Sequence, residues 1–344
     1  MGTSTGTGDP VITVSGLRMR YDSFEAVRGI DLEVRRGEVF AFLGPNGAGK
    51  TTTVEILEGY RRRTAGEVTV LGEDPAQAGP PWRARIGVVL QESRPERDLT
   101  VAECLRLYAG YYPSPRGIDE TMELVGLAGQ ADATATRLSG GQRRRLDVAL
   151  SLIGDPELLF LDEPTTGFDP SARRAAWDMI AGLRSLGVTV FLTTHFMDEA
   201  EHLADHVMVI SEGRIVAAGP PGTLGGRQRA AAEITFTLPQ GASAAALPGS
   251  VRDAVVHGAV HDAVTAHADG TGGSDHMVLR STRPLAVLGP LIAWAEADGH
   301  DLPDLEVRRP SLEDVYLALT EPGTDAPPVE PPDSPDAPRH SEAA

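Results

Sequence analysis

The 344-residue chain is 41% hydrophobic and 23% charged, the make-up of a globular protein with room for one large domain or two ordinary ones. A formal net charge of −18 at pH 7, with a pI near 4.9, disfavours nucleic acid or an anionic lipid surface as a partner for the whole molecule. Cys104 is the single cysteine, so no internal disulfide forms, which suits a reducing compartment. Its plain reading is a small apolar residue on a helix. The start, MGTSTGTGDP, lacks the charged and apolar blocks of a signal peptide. No run of about 18 apolar residues occurs, so no membrane span is expected. The stretch Pro284–Ala295 comes nearest, but it is short and interrupted by Gly289 and Pro290.

In chain order, residues 1–10 read as a disordered leader of Gly, Ser and Thr. Val11–Arg20 reads as a strand. Tyr21 follows it, either as a surface aromatic at a strand end or as a π face for a nucleotide base. Ile30–Val34 alternates with the period of a strand, and Arg36-Gly37 turns into the apolar run Glu38–Leu43, also of strand length. Residues Gly44–Thr52, GPNGAGKTT, match the phosphate-cradling pattern G-x-x-x-x-G-K-[ST] through Gly44, Gly49, Lys50 and Thr51. Thr52–Leu57 then reads as the first turns of a helix. Strand, glycine loop and helix are the context that pattern needs: glycines bring backbone N–H groups close to phosphate oxygens, and the helix N-terminus adds roughly half a positive charge. Lys50 is the one lysine among 31 basic residues. A slim ammonium fits between two phosphates where a planar, forked guanidinium does not.

Arg61–Arg63 reads as a solvated basic face. Glu67–Leu71 and Gly87–Leu90 are short strands, the second ending at Gln91. Leu99–Leu127 carries helical signals, with Thr100 and Glu103 spaced as a capping box and apolar Val101, Leu105 and Leu107. Tyr108, Tyr111 and Tyr112 in this stretch either pack within a helical insertion or face a partner. Leu138-Ser-Gly-Gly-Gln142, followed by Arg143–Arg145 and the apolar helix Leu146–Ile153, is a capped helix start with exposed amides. Leu158–Leu161 is a buried strand that ends in Asp162 and Glu163, at the sheet edge where open α/β folds bind ligands. Asp162 there is placed to hold Mg²⁺, and Glu163 to orient or deprotonate an attacking water. Asp169-Pro170 caps a helix running to about Leu186. Thr189–Thr193 is another central strand, with His195 just past its end as a candidate γ-phosphate contact. Met197–Ala204 is a short acidic helix. Val207–Ser211 and Arg214–Ala218 form a hairpin around Glu212-Gly213.

After residue 225 the composition shifts to Ala, Gly and His. Residues 230–320 read as a small α+β accessory domain with strands at Ile234–Leu238 and Met277–Arg280 and a helix at Leu285–Ala297. His257, His261, His267, Asp275 and His276 raise a metal site, against which stands the scatter of histidines in a glycine-rich stretch. Residues 321–344 hold seven prolines and six acids against one Arg, a composition that cannot bury a core, and read as a disordered tail.

Taken together, these motifs resemble the ATP-binding subunit of an ABC transporter over residues 11–225, with every element in order. Phe168, in the loop Thr166–Asp169, stands where leucine is commoner. The resemblance implies a P-loop NTPase fold, α/β, with a RecA-like core, an antiparallel β subdomain and a helical signature subdomain at about 92–150, followed by the accessory domain. It implies ATP held by Gly44, Pro45, Asn46, Gly47, Ala48, Gly49, Lys50, Thr51 and Thr52, with Tyr21 stacking on adenine. It implies Mg²⁺ on Thr51, Gln91 and Asp162, and catalysis by Glu163, His195, Lys50 and Gln91. Ser139, Gly140, Gly141 and Gln142 are then the signature, which closes on nucleotide held by a second copy, so that the working unit is a homodimer joined to a separate transmembrane permease at the cytoplasmic face of the membrane, with no nucleic acid. THFMDEAE (Thr194–Glu201) and the segment Pro310–Leu319 are similar to daunorubicin-resistance-type exporters, which implies efflux of a drug, antibiotic or other hydrophobic compound. An ABC importer ATPase, or a non-transport ABC ATPase acting on ribosomes or nucleic acid, is the alternative.

Overall fold

The computed structural model describes residues 9–89, 98–227, 230–239, 242–252 and 276–320. Gln91, His257, His261, His267 and Asp275 lie outside the described residues, as do residues 1–8 and the tail from 321. The chain divides into two compact units, one running to Pro221 and taking in the residues from Ala318, the other Gly222–Leu317.

In chain order the first unit comprises β1 (Pro10–Tyr21), β2 (Phe24–Arg35), β3 (Val39–Leu43), α1 (Lys50–Leu57), β4 (Ala65–Val70), α2 (Pro80–Arg83) and β5 (Ile86–Val89). It continues with α3 (Val101–Ala109), α4 (Ile118–Leu124), α5 (Gly140–Leu152), β6 (Leu158–Asp162) and α6 (Pro170–Ser185). It closes with β7 (Thr189–Thr194), α7 (Met197–Leu203), β8 (His206–Ser211) and β9 (Arg214–Gly219). Six strands form a sheet in the order β5-β6-β7-β3-β8-β9, parallel except for β9. Every residue of β3 and the first four of β6 are buried, the unbroken apolar run that a parallel sheet covered on both faces requires. Phe191 anchors the layer: its ring lies 5.2 Å from Phe40, 5.8 Å from Phe42 and 5.6 Å from Phe160. Each buried ring stabilises the sheet by about 1.5–3 kcal/mol relative to exposure.

A second, antiparallel sheet has the order β2-β1-β4. In β2 Ile30, Leu32 and Val34 are buried while Asp31 and Glu33 face water, the period of two seen in the sequence. Pro10 belongs to β1 rather than to the leader. Helices α3 and α5 both begin with full capping boxes, Thr100 with Glu103 and Ser139 with Gln142. Tyr108 meets Tyr111 edge to face at 6.0 Å, while Tyr111 itself is 74% exposed.

The second unit contains β10 (Ala232–Thr237), β11 (His276–Ser281), α8 (Pro284–Ala297), β12 (Glu306–Arg308) and most of α9 (Leu312–Thr320). The sheet order is β11-β10-β12, antiparallel throughout. Ile234, Phe236, Leu279, Val287 and Leu291 form its core. Helix α8 is the helix expected at Leu285–Ala297, and it continues through Gly289 and Pro290. Val287, Leu291 and Ala295 are buried, so packing of that face outweighs the hydrogen bond that Pro290 cannot make. Among the described residues no helix is long and apolar enough to cross a membrane.

Candidate active site

The loop after β3 is shaped by two glycines. At Gly49 φ is +109°, and a Cβ there would stand 2.7 Å from the Ala26 carbonyl oxygen. At Gly44 a Cβ would collide with the Ile210 carbonyl oxygen on β8. The β8–β9 turn braces the loop from that side: Glu212 and Gly213 both have positive φ, as a two-residue hairpin turn demands, and the Gly213 N–H donates to the Ala48 carbonyl at 3.0 Å. Lys50 begins α1 and is only 7% exposed. Its Nζ donates to the carbonyls of Gly44 at 2.6 Å and Pro45 at 3.1 Å. Burial lowers its pKa, and the charges of Glu163 and Asp162 oppose that shift. The loop therefore holds its cation in place and aimed along the helix start.

The acids come from the end of β6, one strand removed from β3 across β7. Thr193, buried at the end of β7, donates its hydroxyl to Asp162 Oδ1 at 2.5 Å and accepts from the Glu163 N–H at 3.1 Å. Glu163 lies in the left-handed region with φ +45°, a costly backbone for a non-glycine residue that the same N–H holds by a second bond to the Thr193 carbonyl. Its Oε2 accepts from the Thr166 hydroxyl at 3.1 Å, and its Oε1 stands 3.2 Å from His195 Nδ1. From α5, Arg144 brackets the acid: it donates to the Asp162 carbonyl at 2.7 Å and to the Pro164 carbonyl at 3.2 Å. Burial lowers the Arg144 pKa against the pull of nearby Asp147, Asp162 and Glu199.

Around one cavity of about 630 Å³ the structure brings together Tyr21, Asn46, Gly47, Gly49, Lys50, Thr51, Thr52, Asp162, Glu163 and His195, with Phe24 and Ala26 completing the wall. Gly44 and Pro45 contribute the carbonyls that hold Lys50, and Ala48 is buried behind the loop. Tyr21 places its hydroxyl 3.3 Å from Thr52 Oγ1, and Arg61 lies over its ring at 5.2 Å. The triplet Arg61–Arg63 lies at the surface as expected, where Arg61 also pairs with Glu55 at 2.6 Å and Arg63 grips Asp74 through both oxygens. Ser139, Gly140, Gly141 and Gln142 do not line the cavity. Gln142 instead accepts from the Ser139 N–H at 2.9 Å within its own cap. Thr193 and Arg144 escaped the sequence reading. Both act across long sequence separations, and the basic triplet holding Arg144 reads like any solvated run. The Thr51 hydroxyl and the Asp162 carboxylate, both on the cavity wall, are hard oxygen donors that suit Mg²⁺.

The geometry matches known proteins. The family described as ABC transporter matches residues 27–166, and a family described as ABC transporter domain-containing protein-like, C-terminal domain, matches residues 232–311. The Daunorubicin resistance ATP-binding protein DrrA3 of Streptomyces coeruleorubidus is 36% identical over 322 residues, 91% of this chain and 96% of that protein. The Nod factor export ATP-binding protein I of Ralstonia nicotianae is 45% identical over 217 residues, 62% of this chain and 68% of that protein. Among solved structures, CbiO1 of Clostridium perfringens, part of the ABC transporter complex CbiONQ, superposes with a TM-score of 0.57 at 29% identity, over 62% of this chain and 90% of its own. With a loop that grips its lysine, two acids at the end of β6 and a relative alike over nearly its whole length, this chain belongs to the ATP-binding protein family of ABC transporters.

Proposed function

We propose that the chain hydrolyses ATP to power export of a drug, antibiotic or other hydrophobic compound through a separate transmembrane permease. The observation that carries the reading is the shared cavity of Lys50, Asp162, Glu163 and His195. Relatives named for daunorubicin resistance and Nod factor export support the direction of transport. In this reading the loop amides of Asn46–Thr51 and the Lys50 ammonium cradle the phosphates. Thr51 and Asp162 hold Mg²⁺, with Gln91 as a further ligand, and the ion supplies charge neutralisation on the phosphate oxygens when bound. Glu163 takes a proton from the water that attacks the γ-phosphorus, the bond to the β-bridging oxygen breaks, and His195 steadies the departing phosphate. Tyr21 supplies the face for adenine.

The chain works as a homodimer, each Ser139–Gln142 helix start closing on nucleotide held by the other copy. Ser139 and Gly140 are exposed in a single copy, which supports that arrangement. ATP closes the dimer and hydrolysis reopens it, a two-state element biased by the γ-phosphate, on the cytoplasmic face of the membrane where the permease docks. The test is co-purification with the permease encoded beside it, followed by ATPase assay in lipid vesicles with candidate drugs. Stimulation by an exported compound supports the reading. Hydrolysis stimulated only by an extracellular solute-binding protein would turn it to import, and absence of any ATP binding or hydrolysis would end it.

A further inference from the structure

Glu199, on the first turn of α7, is fully buried. It is a carboxyl in the interior, a placement that demands a reason. Its neighbours come from every part of the reaction edge. Trp177 on α6 donates its indole N–H to Glu199 Oε1 at 3.2 Å. The side chains of Thr194, the residue before His195, and Thr165, two residues after Glu163, also face the carboxyl. Arg173 from α6 and Arg144 from α5 are the cations whose charge reaches it. Thr165 and Thr194 are themselves buried. The Thr165 hydroxyl interacts with the Glu199 carboxyl, yet neither Glu199 Oε2 nor Thr165 Oγ1 reaches a partner with good hydrogen-bond geometry. Buried polar atoms without well-formed hydrogen bonds are costly, so the turn at 163–166 and the carboxyl of Glu199 are held against each other for a reason other than stability alone.

We infer that Glu199 is a positioning residue for hydrolysis, its buried carboxyl tying the turn that follows Glu163 to the strand end that precedes His195. The inference rests on the ATP-hydrolysing role proposed above. Burial raises the Glu199 pKa, while Thr194, Thr165, Trp177 and the Arg173 charge pull it back down. Arg144, reaching the carbonyls on either side of Glu163, supports the same turn from the opposite side.

The experiment compares Glu199→Ala, Glu199→Gln and Thr165→Val in the full-length chain by single-turnover ATP hydrolysis, nucleotide titration and circular dichroism. Gln keeps the size, the acceptor for Trp177 and a donor for threonine. It is expected to keep kcat within about threefold, while Ala and Val lose about tenfold or more in kcat with nucleotide affinity within about twofold. The Glu199→Ala and Thr165→Val losses should not add in the double variant. Should Glu199→Ala fail to fold, Thr165→Val and Glu199→Gln carry the comparison alone. Wild-type kcat in Thr165→Val, a loss confined to nucleotide affinity, or equal damage from Gln and Ala would each overturn the inference. Failure of the unaltered chain to hydrolyse ATP, by contrast, would strike the proposed function itself.

Discussion

Glu163 and His195 face each other across the strand-end gap, with Oε1 of the acid 3.2 Å from Nδ1 of the imidazole. A carboxylate only accepts, so a hydrogen bond between the two is donated by Nδ1. The other oxygen, Oε2, takes the Thr166 hydroxyl. Glu163→Gln removes the base yet keeps a carbonyl for one of these partners. Turnover should fall by at least about a hundredfold while ATP still binds. Near-normal hydrolysis in a purified Glu163→Gln protein would remove this residue from its proposed role.

Lys50 is held by the loop that precedes it. Its ammonium is held by two loop carbonyls at 2.6 and 3.1 Å, and its stem is buried. A guanidinium keeps the charge but spreads it over a planar fork that these two carbonyls do not match. Lys50→Arg should therefore weaken nucleotide binding by about tenfold or more, the equivalent of about 1.4 kcal/mol. Titration with a fluorescent ATP analogue reads this directly, and unchanged affinity would contradict the argument from fit.

Arg144 offers the test of support from the signature helix. Truncation in Arg144→Ala leaves the carbonyls of Asp162 and Pro164 without their donor in a buried setting. Stability should drop by about 2–4 kcal/mol and turnover should fall with it. Arg144→Lys reaches one carbonyl but not both, so it should recover part of the loss. Urea unfolding alongside the ATPase assay checks both, and an Arg144→Ala protein as stable as the parent would show that the bracket is incidental.

The residues legible in the sequence are those whose chemistry is carried by neighbours along the chain. The phosphate loop, the acid pair after an apolar strand and the cap at Ser139 each announce themselves within about ten residues. Thr193, Arg144 and Glu199 do not, because what they do depends on strands and helices that meet only in three dimensions: Thr193 reaches Asp162 across 31 positions, Arg144 reaches the same residue across 18. Small elements were hidden for a different reason. Helix α2 has four residues and β12 has three, all of β12 exposed, so neither shows a period to read. The helix expected at Leu285–Ala297 does form as α8, its local breakers Gly289 and Pro290 overridden by the burial of Val287 and Leu291.

Glu58, at the end of α1, gives a pH dependence with a definite sign. It is 5% exposed, and burial, with the Asp162 and Glu55 charges adding, raises its pKa from 4.5 to about 8. The unfolded chain releases this proton near the ordinary carboxylate value, so between the two values the native state holds a proton that the unfolded state has lost. The stability tied to this group is thus fully present below 4.5 and is lost as pH rises through 8. At about 1.4 kcal/mol per unit, the loss amounts to roughly a few kcal/mol across that window. Glu58→Gln has no proton to release. Its urea midpoint should match the parent at about pH 4.5 and exceed it at about pH 8. Parallel curves for the two proteins over that range would mean that Glu58 titrates as an ordinary surface acid, and the buried environment assigned to it would have to be abandoned.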